Sequence, residues 1–209
     1  MIIFIFGDSI TEGLWDSKGG WADRIKAFVQ SEEVKSGIKN YHEVYNLGVD
    51  GNTTKQIIDR FESETKARLW PDEEYAFIFA TGTNDTLHRN NQEFESTPER
   101  YKSELNQLIG LARMYSSKVM FVDMLPVDEN LTNPIKSSSS GKCYTNERIR
   151  SFNEVLHEVC DNQSLTYIKV SEKYLEQDYK TLLADGIHPN DQGHEVIFDL
   201  VVEYIRGLL

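Results

Sequence analysis

Short runs rich in β-branched and aromatic residues alternate along this chain with longer stretches whose apolar positions recur every three or four residues. That alternation predicts strand, helix, strand in repetition, an α/β fold built on a mostly parallel sheet. The strand candidates are residues 2 to 6, His42 to Leu47, Tyr75 to Thr81, Lys118 to Met124 and Leu165 to Val170. Between them, Trp21, Ile25, Phe28 and Val29 share one helical face, as do Ile57, Ile58, Phe61 and, more loosely, Ala67. Tyr101, Leu105, Leu108, Ile109 and Ala112 form a third stripe, and Ile149, Phe152, Val155, Leu156 and Val159 a fourth. A last helix is expected after Pro189, capped by Asn190 or Asp191 and burying Ile197, Leu200, Val201, Tyr204, Ile205 and Leu208.

Two polar segments interrupt the pattern, Thr86 to Pro98 and Val127 to Tyr144, the second containing Ser137 to Gly141. Each follows a predicted strand and so emerges at the carboxyl edge of the sheet, where open α/β folds bind ligands. Each reads either as a pocket wall or as a solvent loop with no role. There is no internal repeat and no interdomain linker, and 209 residues suit a single domain spanning 1–209.

Charge narrows the partners. A net charge of -12 and a pI near 4.9 repel nucleic acid and anionic membrane surfaces, leaving a neutral or cationic small molecule as the better fit. The opening run Met1 to Phe6 lacks a basic flank and is too short for a signal peptide or membrane span, so a cytoplasmic location is expected. Cys143 and Cys160 show no CxxC and no neighbouring His cluster, the pattern of ordinary reduced thiols rather than of a zinc site. The Asn-X-Ser/Thr triplets at Asn52, Asn84, Asn130 and Asn162 carry no meaning without secretion. No cofactor is indicated: the first strand-to-helix turn lacks the GxxxxGK phosphate loop.

Three short motifs carry chemistry: Gly7-Asp8-Ser9-Ile10-Thr11, Gly82-Thr83-Asn84-Asp85 and Asp185-Gly186-Ile187-His188-Pro189. Ser9 lies between an apolar strand and a potential first helical turn, which exposes its hydroxyl at the sheet edge near backbone N–H groups; a serine there also reads as a helix cap. Asp185 and His188 are three apart in a segment that Pro189 keeps extended, so the carboxylate can fold back onto its own imidazole. The same pair reads as two metal ligands or as a turn with a capping Asp, but no third His or Cys lies nearby. Asn84 follows the third strand and can offer its amide to a developing oxyanion. Gly51 follows the second strand at a similar level, and a glycine there lets its N–H approach a substrate closely. Alone, both are ordinary turn residues; their value is that each candidate ends a different strand. His42, His88, His157 and His194 read as structural or solvent groups, and Trp15 and Trp21 as pocket lining or as packing.

With these blocks in this order the chain resembles the SGNH hydrolases, the GDSL esterase/lipase superfamily. The matching blocks are Gly7-Asp8-Ser9-Ile10, Asp50-Gly51-Asn52-Thr53, Gly82-Thr83-Asn84-Asp85 and Asp185 to Pro189, which span nearly the whole chain. Ile10 stands where the family often has Leu, an apolar exchange. The resemblance implies a flavodoxin-like three-layer α/β/α sandwich with a five-stranded parallel sheet. It also implies Ser9 as nucleophile, His188 as base, Asp185 as its partner, and an oxyanion hole of the Ser9 and Gly51 N–H groups and the Asn84 side chain. The expected activity is hydrolysis of a carboxylic ester or thioester of a small soluble substrate. Carbohydrate O-acetyl esters, lysophospholipids and transfer to an acceptor alcohol stay open, as does a non-catalytic binding module.

Overall fold

The computed structural model describes residues 1–39, 41–89 and 94–209. In chain order its elements are β1 (Ile2–Gly7), α1 (Ser9–Glu12), α2 (Gly20–Ser36), β2 (Glu43–Gly48), α3 (Thr54–Lys66), β3 (Tyr75–Ala80) and β4 (His88–Arg89). There follow α4 (Pro98–Arg113), β5 (Val119–Val122), α5 (Glu129–Thr132), β6 (Lys142–Cys143), α6 (Asn146–Gln163), β7 (Thr166–Ile168), α7 (Val170–Leu175) and α8 (Asp191–Arg206). Five strands form one parallel sheet in the order β2, β1, β3, β5, β7. The order reverses between β1 and β3, and the crevice outside their carboxyl ends is where such sheets bind ligands.

Alternation along each strand divides the core. Ile2, Phe4 and Phe6 join Phe77, Phe79 and Phe121 on the face covered by α3, α4 and α6, where Phe4 and Phe77, and Phe79 and Phe121, hold ring centroids 5.2 Å apart. Ile3 and Ile5 join Ala76, Ile78 and Val122 on the face covered by α2, α7 and α8. All of these side chains are buried, which is why the strands read as unbroken apolar runs.

The expected strands appear at the expected places, with two ends drawn in. β5 stops at Val122 and β7 at Ile168, because the buried Asp123 carboxylate accepts from the N–H groups of Val170 and Ser171 at 2.7 and 2.9 Å and starts α7 instead of prolonging the sheet. Six residues of α7 are too few for a periodic signal. Asn190 caps α8, but Tyr204 is exposed, Leu200 and Leu208 are half-buried, and Val202 is buried in their stead.

The two polar segments are not separate loops. His88 pairs antiparallel with Cys143, and Arg89 with Lys142, so β4 and β6 knit them into a ribbon at the sheet's carboxyl edge. Residues 90–93 of the first segment lie outside the described residues. Among the described residues no helix is long and apolar enough to cross a membrane.

Two glycines let α1 press against the strand ends. A Cβ on Gly48 would stand 2.1 Å from the backbone nitrogen of Glu12, and one on Gly7 2.0 Å from Thr11 Oγ1. Thr11 Oγ1 could rotate away, but Thr11 Cβ at 2.6 Å and the Glu12 backbone cannot withdraw without moving the turn that carries Ser9.

Candidate active site

Ser9 is not the cap of its helix. Asp8 takes that role, its Oδ1 accepting from Ile10 N at 2.9 Å, and Ser9 becomes the first residue of α1 with its hydroxyl free for another partner. That partner is His188, whose Nε2 lies 2.9 Å from Ser9 Oγ across 179 residues of sequence. On the other side of the ring, Nδ1 lies 2.7 Å from Asp185 Oδ2. The Asp185 loop is closed by its own backbone: Oδ1 accepts from Ile187 N at 3.0 Å and His188 N at 2.9 Å, and Ala184 N donates to His188 O at 2.8 Å. Gly186 makes the turn possible at φ +94°, a left-handed conformation that side chains resist. The segment therefore does what its spacing allows, directing one carboxylate oxygen at the imidazole and the other at the loop.

Asn84 opens a short turn after β3. Its Nδ2 donates to Asn52 O at 3.1 Å and faces Asp8 Oδ2 at 3.4 Å, while its Oδ1 accepts from the hydroxyl of Tyr144 at 3.1 Å. Gly51 adopts φ +74° in a turn with nothing within 4 Å of where a Cβ would be, so backbone conformation, not crowding, demands glycine. Among the described residues the N–H groups of Ser9 and Gly51 have no acceptor. The structure thus brings Ser9, Asp185 and His188 into one hydrogen-bonded chain and sets Gly51 and Asn84 on the neighbouring strand ends.

Several supporting residues escaped the sequence reading. Arg60, on α3, donates to Asn52 Oδ1 at 2.8 Å, Leu47 O at 2.7 Å and Gly7 O at 3.1 Å, tying the ends of β1 and β2 to the turn of Gly51. Asp85, buried beside Asn84, accepts from Thr54 N at 3.0 Å and fixes the start of α3. Tyr144 arrives from the end of the second polar segment; that segment's position at the carboxyl edge was the one signal that could have found it. Trp15 donates its Nε1–H to Asp185 Oδ2 at 3.0 Å. Trp21, by contrast, is fully buried in the core, and its N–H donates to Nδ1 of the buried His194 at 3.3 Å.

The electrostatics are those of a charged relay under acidic surroundings. Burial works against the His188 proton, but the hydrogen bond and charge of Asp185, with the charges of Asp8 and Asp50, outweigh it and raise the imidazole above its ordinary value. Burial also opposes charge on Asp185, yet donation from His188 and from the loop N–H groups holds that carboxyl well below the usual range. Full burial pushes Asp8 up to about 6. A hydroxyl bonded to an imidazole that is oriented by an ionised carboxylate, beside N–H donors from separate strands, is equipped for acyl transfer.

The GDSL-like lipase/acylhydrolase family matches residues 5–196. The chain belongs to that family. It is accordingly a GDSL-family hydrolase of the esterase type, acting on ester substrates. No curated protein matches it in sequence. Among solved structures, a lipase/acylhydrolase from Enterococcus faecalis superposes with a TM-score of 0.75 at 23% identity, covering 100% of this chain and 96% of that one. An acetyl xylan esterase, AlAXEase, gives 0.75 at 18% identity over 98% of this chain and 100% of its own. TesA gives 0.71 at 19% over 100% of each. These likenesses are of fold.

Proposed function

We propose that this GDSL hydrolase cleaves carboxylic esters or thioesters of small soluble substrates through an acyl-enzyme on Ser9. The reading is carried by one observation, the unbroken path from Ser9 Oγ to His188 Nε2 at 2.9 Å and from His188 Nδ1 to Asp185 Oδ2 at 2.7 Å. His188 takes the Ser9 proton as Oγ bonds to the carbonyl carbon. The oxyanion is held by the N–H groups of Ser9 and Gly51 and by Asn84 Nδ2. His188 then returns the proton to the departing alcohol or thiol as its bond to the carbonyl breaks. Water then gives a proton to His188 as its oxygen bonds to the acyl carbon, and the acid is freed as the bond to Ser9 Oγ breaks and His188 returns the proton to Oγ.

Charge supports the choice of substrate. Asp8 and Asp50 stand close enough to raise the proton affinity of His188, and Glu12 Oε2 accepts from Asp50 N at 2.8 Å, so the mouth of the site is acidic. Such a mouth opposes phosphate-bearing molecules such as lysophospholipids and admits neutral ones. A second reading, a carbohydrate O-acetylesterase, is favoured by the indole of Trp15 standing 62% exposed beside Asp185, since an exposed aromatic face suits a sugar ring. The acetyl xylan esterase of similar fold is consistent with it.

The test is intact-mass measurement of wild type and Ser9→Ala after treatment with a fluorophosphonate, beside hydrolysis of p-nitrophenyl acetate, butyrate and octanoate and of acetylated xylo-oligosaccharides. One adduct and turnover, both lost in Ser9→Ala, are expected. No adduct on folded wild type would overturn the mechanism and favour a non-catalytic binding module.

A further inference from the structure

Trp15 is an unusual residue to find where it is. It is largely exposed, and it adopts φ +66°, a left-handed conformation that a bulky side chain avoids unless its surroundings enforce it. The surroundings do enforce it. On one side, Leu14 O faces His194 Nε2 at 3.4 Å. On the other, Asp16 accepts from Arg24 Nε and Nη2 at 3.0 and 2.9 Å and from Gly20 N at 2.8 Å. Ser17 N donates to Asp191 Oδ1 at 2.9 Å. His194 and Asp191 both belong to α8, the helix that begins just after His188, so one element fixes the Trp15 loop and the histidine loop in register.

The loop's product is a single contact. The indole N–H meets Asp185 Oδ2 at 3.0 Å, the same oxygen that lies 2.7 Å from His188 Nδ1. Packing cannot be what the strain supports, because most of the ring is in solvent. We propose that Trp15 is a positioning residue of the relay, a donor that orients Asp185 Oδ2 and draws off part of its charge, so setting how strongly Asp185 holds the proton of His188. This rests on the acyl-enzyme reading above only for its effect on rate; its effect on His188 is a property of the resting protein.

The sign follows from the donor. In Trp15→Phe the ring remains and the N–H is lost, so Oδ2 carries more charge toward the imidazole and the protonated form of His188 is favoured. The other titratable groups facing that imidazole, Asp8, Asp50 and the buried His194 of α8, stay in place, as does the Arg24 and Asp16 pair behind the loop. The experiment is an NMR titration of the His188 ring in wild type and Trp15→Phe, with the pH profiles of kcat and KM for p-nitrophenyl acetate measured beside it. His188 should titrate about half a unit higher in the variant, and the acid limb of kcat/KM should move with it. The kcat should fall about fivefold with KM little changed, the scale of one partly exposed hydrogen bond to a charged group. Trp15→His, which restores a ring N–H donor, should recover part of the loss. An unchanged His188 titration in folded Trp15→Phe overturns the proposal even if the variant is less stable. Wild type that titrates as described yet neither labels nor turns over overturns the hydrolytic mechanism and leaves this coupling standing.

Discussion

The hydroxyl of Tyr144 donates to Asn84 Oδ1 at 3.1 Å, closing off the oxygen of an amide whose nitrogen is turned to Asn52 O and Asp8 Oδ2. Asn52 O can only accept, so the amide nitrogen must be turned toward it, and rotation of the amide would lose that bond. Tyr144 is 5% exposed, so water does not replace its hydroxyl easily. Tyr144→Phe should lower kcat about fivefold to tenfold, the worth of a buried neutral hydrogen bond, and leave KM near wild type. The check is a double-mutant cycle: in an Asn84→Ala background the Tyr144→Phe effect should vanish, and a full additional loss would separate the two residues.

Asn84 itself is assigned a role in the transition state only. Its removal in Asn84→Ala should cost about 3 kcal/mol in kcat, a hundredfold or more, with the thermal midpoint little changed. Steady-state kinetics beside a melting curve checks both halves. A loss below about threefold removes Asn84 from the oxyanion hole.

In the proposed mechanism His188 must be neutral to act, so activity should fall as pH drops through its titration. Because Asp185, Asp8 and Asp50 raise that titration against the opposing effect of burial, the midpoint of the acid limb of kcat/KM should lie above about 6.5, the ordinary histidine value. Asp50→Asn should shift the limb to lower pH, and added salt should shrink the difference between the two proteins. A limb at or below the ordinary value would contradict the placement of these charges.

Asp85 gives a stability prediction of definite sign. Burial raises its carboxyl to about 7, against the lowering effect of the Thr54 N–H. A raised carboxyl means that the folded state holds a proton which the unfolded chain releases near 4. Its stabilising effect is therefore full below about 4 and is lost as pH rises through about 7. Asp85→Asn keeps an acceptor for Thr54 N without the charge. The melting temperature of the variant relative to wild type should rise from pH 5 to about pH 7 and then level off, and a flat difference across that range would show that Asp85 is ionised throughout.

What the sequence disclosed follows from the range of the physics involved. Strands and helices were legible because burial on both faces of the sheet wrote unbroken apolar runs, and the Ser9, Asp185 and His188 positions because short motifs confine chemistry to a few local residues. The overshoot at Met124 and Val170 has the opposite cause. Asp123 converts a strand end into a helix cap through bonds to residues 47 and 48 positions away, which no local pattern records. Tyr144 and Arg60 were invisible for the same reason, and Trp15 was read only as pocket lining or packing: each acts on a residue brought near only by the fold, Tyr144 across 60 positions and Trp15 across 170. The inward stripe of the last helix was drawn too wide at Tyr204, because an aromatic at helical spacing reads as core whether or not a partner lies opposite.

Gly7 of β1 stands level with Gly48 of β2 and with Ala80 of β3. Ser9, Gly51 and Asn84 each follow one of those three positions by a few residues, so the gauge of the proposed reaction centre is the spacing of hydrogen-bonded strands, about 4.8 Å, kept as long as Gly7 and Gly48 stay without side chains. The ribbon of β4 and β6 sits above the strand ends and lies outside that gauge, whereas the loop of Trp15 is tied to Asp185 and belongs with it. An engineer wishing to alter what this protein accepts should rebuild the ribbon and leave the three strand ends and the Trp15 loop alone.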